Sequence, residues 1–328
     1  MAQQSSILIT GTAGFIGFHT AARFLDDGWR VVGVDNFNDY YDVRLKEARH
    51  ARLEAHPGYR GVRMDLSDRQ GVMRLLEENR FDAVVHLAAQ AGVRYSLEHP
   101  FVYLDANLAG FLSILEAVRH CGPKRLIYAS SSSVYGGNTK LPFSEEDRVD
   151  FPVSLYAATK RANELMAHTY THLYGIQSIG LRFFTVYGPW GRPDMAMWIF
   201  ADKIRRGEPI PVYNYGDMKR DFTYIDDIVA GVRACVLSED LADYEIFNLG
   251  NHRCEQLRDL IAEIEAALGK KAELNLLPMQ PGDVPATYAD VQRAQEKLGY
   301  KPTTPISQGV PKFIEWFEMY HDEVLNAE

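Results

Sequence analysis

The glycine run Gly11-Thr12-Ala13-Gly14-Phe15-Ile16-Gly17 restricts this chain more than any other feature, because it separates two segments of different periodicity. A short apolar run, Ile7-Leu8-Ile9-Thr10, precedes it; a helix-like stretch over residues 15–27 and a second apolar run over 31–34 follow. Glycines at this spacing let a strand turn sharply into a helix, let a pyrophosphate approach the backbone, and let helix and strand pack closely. The helix N-terminus then offers free amides and the positive end of its dipole to phosphate. The spacing alone is a weak signal, since turns also need glycine, but the strand-turn-helix setting makes it a dinucleotide loop, with Phe15 and Ile16 counted among its cofactor contacts. Asp35 ends the second apolar run, eighteen residues after Gly17. A carboxylate there accepts hydrogen bonds from ribose hydroxyls and repels a 2′-phosphate, so NAD is expected rather than NADP, with Asn36 beside it. An ordinary turn aspartate is the plainer reading of Asp35. Asp65 and Leu66, after a third run, are expected to flank the adenine.

The alternation continues, with strands expected over 61–64, 82–87, 125–130 and 176–183 and helices over 69–79, 101–120 and 154–174. Continuously apolar strands joined by helices indicate a parallel sheet covered on both faces, the Rossmann-type doubly wound α/β architecture. Beyond Pro189 the rhythm loosens, with turns at 207–209 and 281–283 and helices near 225–237 and 256–268. The expected division is an NAD-binding part, 1–185, to which later segments return, and a smaller C-terminal α/β part, 186–328, that mainly binds substrate, with the ligand cleft between them.

Composition excludes several classes. Hydrophobic residues at 46% and charged residues at 24%, without low-complexity stretches, describe a soluble globular chain. The short polar segment Met1 to Ser6, and the lack of eighteen consecutive apolar residues, point to the cytoplasm and away from a membrane. A formal charge of −9 argues against nucleic acid, and against an anionic ligand unless arginines converge on one cleft. Cys121, Cys235 and Cys254 are odd in number and scattered, which suits neither a disulfide framework nor a zinc site. His168 and His172 lie four apart, but no glutamate-containing zinc motif or third ligand accompanies them, so no metal is expected.

The chemistry centres on Tyr156-Ala157-Ala158-Thr159-Lys160, where a separation of four places both ends on one helix face. A phenol with a pKa near 10 is a poor base at neutral pH, but an adjacent ammonium and an oxidised nicotinamide both favour phenolate. Such a pair is common on amphipathic helices. Its position after the fifth strand of a dinucleotide-binding sheet, a strand that ends in the hydroxyls Ser130-Ser131-Ser132-Ser133, makes it a proton-relay site.

Gly11-x-x-Gly14-x-x-Gly17 with Tyr156-x-x-x-Lys160 resembles the extended short-chain dehydrogenase/reductase family, which acts on sugar nucleotides, and the similarity covers nearly the whole chain. The resemblance implies cofactor roles for Leu87, Ala88, Ala89, Gln90, Asn107, Ser130 and Phe184. It also implies a homodimer packed through the helices at 101–120 and 154–174. Related dehydratases and decarboxylases carry acidic residues just before Val-Tyr-Gly, where this chain has only Ser131-Ser132-Ser133. Elimination needs a general acid and a base, so it is disfavoured, and hydride removal from C4 and its return to the other face of the ketone remains. Ser131 holds the position from which the family hydroxyl bridges Tyr156 and the sugar O4, with Ser133 an equal alternative.

Three segments, Gly92-Val93-Arg94-Tyr95-Ser96, Tyr187-Gly188-Pro189-Trp190-Gly191-Arg192-Pro193 and Gln280-Pro281-Gly282-Asp283-Val284, look like the UDP-glucuronate 4-epimerases. Gln280 and Thr185 depart from the UDP-galactose epimerase pattern. A uronate needs a cationic or multi-donor site near C6, which Arg192 or Arg94 could supply, while Arg220 suits the diphosphate. Ser132, Thr185 and Asp283 complete the expected UDP-sugar contacts. The alternatives are a UDP-glucose/UDP-galactose 4-epimerase, a UDP-glucuronate decarboxylase on the same scaffold and, more distantly, a catalytically silent NAD-binding regulator.

Overall fold

Six apolar runs become parallel strands: Ser6–Thr10 (β1), Arg30–Asp35 (β2), Tyr59–Arg63 (β3), Ala83–His86 (β4), Arg125–Ser131 (β5) and Gln177–Phe183 (β6). The computed structural model describes residues 4–280 and 282–322; Pro281 of the expected turn and the first three residues of the polar N-terminus lie outside them. The sheet has seven strands, Tyr244–Leu249, β6, β5, β4, β1, β2, β3 in spatial order, and every pairing is parallel. This is the expected doubly wound sheet. Its order reverses between β1 and β4, which opens a crevice at the strands' carboxyl ends.

The alternation of strand side chains divides the core in two. Ile7, Ile9, Val31, Ile127 and Ile179 face one side with the helix Phe15–Asp26 (α1), while Leu8, Val32, Val84 and Leu126 face the other with the helices Arg69–Glu78 and Gly110–Cys121. β1 is buried along its whole length, whereas edge strand β3 is not.

Four features depart from the sequence expectations. A helix at Val43–Glu54 was not foreseen; its sequence is polar, yet it buries Lys46, Arg49 and His50. The strand Tyr244–Leu249 carries Glu245 and Asn248 and so breaks the apolar run, and both are buried against partners from elsewhere. The helices Ala196–Arg206, Gln292–Leu298 and Ile306–Tyr320 order the C-terminal half more than its turn residues suggest. The helix expected at 101–120 runs from Pro100 to Cys121 but contains a π-helical stretch, Leu104–Ala109. This run is long and apolar enough to cross a membrane, with mean hydropathy 1.4 over its most apolar window, and half of that window is buried inside the fold. Helix Gly110–Cys121 packs on Arg69–Glu78 and on Leu155–Tyr174, as a core helix does.

Two histidines are folded in neutral form. Burial, with the Lys160 cation nearby, pushes the His86 imidazole down to about 3, and burial lowers His19 to about 4. Their folded pKa values lie below the unfolded value, so the unfolded chain binds more protons and stability falls as pH drops through 6.5. At pH 5 each costs about 2 kcal/mol. Urea unfolding at pH 7.5 and pH 5 should show this loss, and a His86→Gln variant should show less of it.

Candidate functional site

The phosphate loop is closed to side chains by geometry. A Cβ on Gly17 would stand 2.0 Å from the Gly11 carbonyl oxygen, and one on Gly11 would stand 2.8 Å from the Ala88 amide. Gly11 also has a φ of +78°, the left-handed region that glycine adopts freely. No side chain caps α1, so its first amides remain free at the cleft. Asp35, at the end of β2, accepts from the Ala13 amide at 3.0 Å and the Phe37 amide at 2.9 Å. A carboxylate has lone pairs beyond those two for ribose hydroxyls. Asn36 donates to Asp65 at 2.7 Å, joining the ends of β2 and β3. These residues fit a dinucleotide that lacks a 2′-phosphate. Gly17→Ala should abolish NAD retention, read as the NAD released on denaturing the purified protein.

One cavity of about 710 Å³ runs from this loop past the ends of β4 and β5 to the C-terminal part. Gly11, Gly14, Phe15, Ile16, Gly17, Asp35, Asn36, Asp65, Leu66, Leu87, Ala88, Ala89, Gln90, Ser130 and Phe184 line it, together with Tyr156, Lys160, Ser131, Ser132, Ser133, Thr185, Arg94, Arg192, Arg220 and Asp283. Asn107 is the exception. Its amide donates to Gln90 O and Thr159 Oγ1, both at 3.0 Å, and accepts from Gln90 N at 2.8 Å, so it braces the cavity wall from behind.

Helix Leu155–Tyr174 begins at Ser154, whose hydroxyl accepts from Ala157 N at 3.1 Å and fixes the first turn that carries Tyr156. One turn later Lys160 is buried, and its ammonium donates to Ala129 O on β5 at 3.0 Å; burial lowers its pKa to about 8. Burial raises the Tyr156 phenol, while the Ser131 hydroxyl and the Arg192 cation pull it back and Asp194 pushes it up. Both candidate serines line the cavity; the Ser131 hydroxyl is the one that acts on the phenol, and it donates to Ser133 Oγ at 3.1 Å.

Three arginines converge on the cavity despite the net charge. Arg192 donates through Nε and Nη2 to Asp194 at 2.9 and 2.5 Å, which leaves Nη1 for a ligand. Arg94 pairs with Asp283 at 3.1 Å and lies over Tyr213. Among the described residues Arg220 donates to neutral carbonyls, Lys219 O at 2.8 Å and Pro285 O at 3.2 Å, and burial lowers its pKa while Asp283 raises it. A second cavity of about 160 Å³, lined in part by Ser132, Ser133, Thr185 and Arg220, adjoins the first.

A model of the NAD dependent epimerase/dehydratase family matches residues 7–250. The chain belongs to this family. It is 47% identical to a probable UDP-glucuronate 4-epimerase of Rhizobium meliloti, over 95% of this chain and 96% of that one. It is 48% identical to UDP-glucuronate 4-epimerase 4 of Arabidopsis thaliana, over 96% of this chain and 76% of the relative. Its fold matches that of a UDP-glucuronic acid 4-epimerase from Bacillus cereus, solved in complex with UDP-glucuronic acid and NAD, with a TM-score of 0.91, 34% identity, and 96% and 99% of the two chains covered.

Within this NAD dependent epimerase/dehydratase scaffold, several site residues were not legible in the sequence. His86 shares a 2.8 Å hydrogen bond with Thr10, whose hydroxyl also accepts from Ala88 N at 3.1 Å, tying the ends of β1 and β4 together beneath the cofactor cleft. Glu164, one turn past Lys160, accepts from Ser130 Oγ at 2.7 Å. Tyr40, Arg49 and Asp194 join distant segments. No periodicity marks any of them; the histidine in His86-Leu87-Ala88-Ala89 was the nearest signal.

Proposed function

We propose that this chain is an NAD-dependent UDP-glucuronate 4-epimerase, converting UDP-glucuronate to UDP-galacturonate through a transient 4-keto sugar. The observation that carries this reading is a cavity in which Tyr156 and Ser131 meet a rim of hydroxyls with no carboxylate at Ser132 or Ser133, beside Arg220, whose hydrogen bonds go to backbone carbonyls. The glycine loop and Asp35 would hold NAD, which when bound would supply the acceptor and donor for the hydride at the sugar carbon. Tyr156 accepts the O4 proton, directly or across Ser131, and returns it after the ketone has turned its other face. Lys160, fixed by Ala129 O, supplies the positive field that favours the phenolate. Arg220 meets the diphosphate. The uronate carboxylate is met by the hydroxyls of Ser132, Ser133 and Thr185 together with Arg192 Nη1, a multi-donor cradle that holds it away from the perpendicular geometry in which a β-keto acid loses carbon dioxide. With no acid to expel a leaving group at the serine rim, the site is suited to epimerisation and not to elimination.

The deciding experiment supplies purified protein with UDP-glucuronate and no reductant, and follows products by proton NMR and NADH by absorbance. UDP-galacturonate without lasting NADH is expected. A UDP-pentose product would make it a decarboxylase, and turnover of UDP-glucose alone would move it to the hexose epimerases.

Residues 1–185 are assigned to NAD and 186–328 mainly to the sugar nucleotide, with Tyr244–Leu249 returning to the first part's sheet. The reading includes a cytoplasmic homodimer. Three free cysteines accord with a reducing compartment. Phe101 is 76% exposed, and Leu104, Leu165 and Leu173 are each at least half exposed, along the two helices from which the dimer is expected. A second copy of this chain is the proposed occupant of that face. Leu165→Glu should convert a dimer to a monomer in sedimentation velocity; an unchanged dimer would place the interface elsewhere.

A further inference from the structure

Residues 36–49 leave β2 and cross the cofactor cleft, with Asn36, Asn38, Tyr40, Tyr41 and Lys46 lining the cavity. This strap is stitched to the loop at 188–194 in two places. The Tyr40 hydroxyl donates to Asp194 Oδ2 at 3.0 Å, on the same carboxylate that holds Arg192. Arg49, fully buried, forms the other stitch. Its Nη1 donates to Ala13 O of the phosphate loop and to the Tyr41 hydroxyl, both at 2.8 Å. Its Nη2 donates to Trp190 O at 2.6 Å and Gly191 O at 3.1 Å.

All four acceptors are neutral oxygens, and Arg49 Nε has no partner among the described residues. A buried cation without an acidic partner is costly to hold and contributes little to stability by itself. Its reach explains its presence, because one guanidinium touches the cofactor loop, the strap and the sugar-side loop at once. Both stitched segments also place a bulky residue in the left-handed region, Phe37 at φ 53° and Trp190 at φ 62°. Such conformations persist only where surrounding contacts over-determine them, and they concentrate at functional segments.

We infer that Arg49 and Tyr40 are positioning residues that register the cofactor cleft to the loop carrying Arg192, so that NAD and the sugar nucleotide bind cooperatively. The inference takes its second ligand, a uridine diphosphate sugar, from the proposed function, but UDP alone suffices to read it. Each ligand sets one side of the stitch, and by linkage each raises the affinity of the other by the same factor.

The test loads the full-length protein with labelled NAD, chases it with unlabelled NAD, and measures release with and without UDP. In the wild type UDP should slow release by about tenfold, within the usual range of coupling between sites. Tyr40→Phe removes one hydrogen bond and leaves the ring in place. It should bring the UDP effect below about twofold and raise KM for UDP-glucuronate more than it changes kcat. Arg49→Lys should do the same more strongly if it folds; Tyr40→Phe decides the matter if it does not. Release that UDP leaves unchanged in the wild type overturns the inference. So does a Tyr40→Phe protein with a lower Tm and an intact UDP effect, which would make the stitch merely structural. UDP-dependent release without any UDP-galacturonate formed would uphold the stitch and overturn the substrate assignment.

Discussion

Tyr156→Phe should turn over UDP-glucuronate about a thousandfold more slowly than the wild type, since general acid–base catalysis contributes on the order of 10²–10⁴. The substitution deletes a hydroxyl and leaves the ring packed edge-on against Tyr103 at 6.1 Å. NAD content and Tm should stay near wild type, which separates lost chemistry from lost structure. Burial raises the phenol while the Ser131 hydroxyl and the Arg192 cation lower it; the proposed use of Tyr156 as a base calls in addition on the charge of Lys160, one turn along, whose own pKa is depressed to about 8. Below that pH the ammonium is present; above it the charge, and with it the support for phenolate, declines. The kcat of the wild type should therefore fall above about pH 8, and Lys160→Met should remove that limb along with most of the activity. A Tyr156→Phe enzyme within threefold of wild type, measured by initial rates in NMR, would move the base elsewhere in the site.

The largest loss of stability should come from Glu164→Gln. Glu164 is fully buried and takes two bonds from Arg182, at 2.8 and 3.0 Å, with Arg161 at 3.0 Å and Ser130 at 2.7 Å. Burial alone would push its pKa up; the Arg182 guanidinium and the other donors more than reverse this and hold it below the usual range. Removing the charge leaves Arg182 buried and uncompensated, which costs about 3–5 kcal/mol. Urea unfolding should register that loss, and a loss under 1 kcal/mol would show that the pair carries no such weight. The double variant Glu164→Leu, Arg182→Met should recover much of it, because a buried ion pair replaced by apolar side chains of similar volume is often neutral. Ser130 loses its acceptor in the double variant, where leucine offers none, whereas Glu164→Gln keeps an amide oxygen that accepts from it. Since Ser130 precedes Ser131, kcat of the double variant should fall even where the fold survives.

The sequence carried what repeats or stands at a fixed spacing. β1, β2, β5 and β6 are visible because strands buried on both faces are continuously apolar, and the glycine loop because a Cβ at Gly17 has nowhere to go. Tyr156 and Lys160 share a helix face because helices repeat every 3.6 residues. What escaped depends on three-dimensional partners. Val43–Glu54 reads as a polar surface segment until Arg49 is seen to reach Ala13, Trp190 and Gly191, 36 to 142 positions away. Asp194 gave no signal, because its meaning comes from Tyr40, 154 residues earlier. Ser131 and Ser133 read alike in sequence; the turn at Ser132–Tyr135 joins them, with the Ser133 amide donating to Ser131 Oγ at 3.1 Å. Asn107 lies on the expected helical run, and from its π-helical stretch its amide meets the Gln90 backbone, a contact no spacing in the sequence announces.

The strand Tyr244–Leu249 pairs with β6 through six residues, from Tyr244 beside Ser178 to Leu249 beside Phe183. Its consequence falls on anyone who would exchange parts between relatives. A hybrid joined once, after β6, would complete its sheet with a strand from the donor, and Asn248 of that strand would have to find Tyr135 and the Phe143 carbonyl of the recipient. Transplanting sugar preference by a single crossover therefore asks two lineages to agree on a buried hydrogen-bond set. Two crossovers, one after β6 and one before Tyr244, keep that set, the Asp290 carbonyl included, within one parent and confine the exchange to the segment between them.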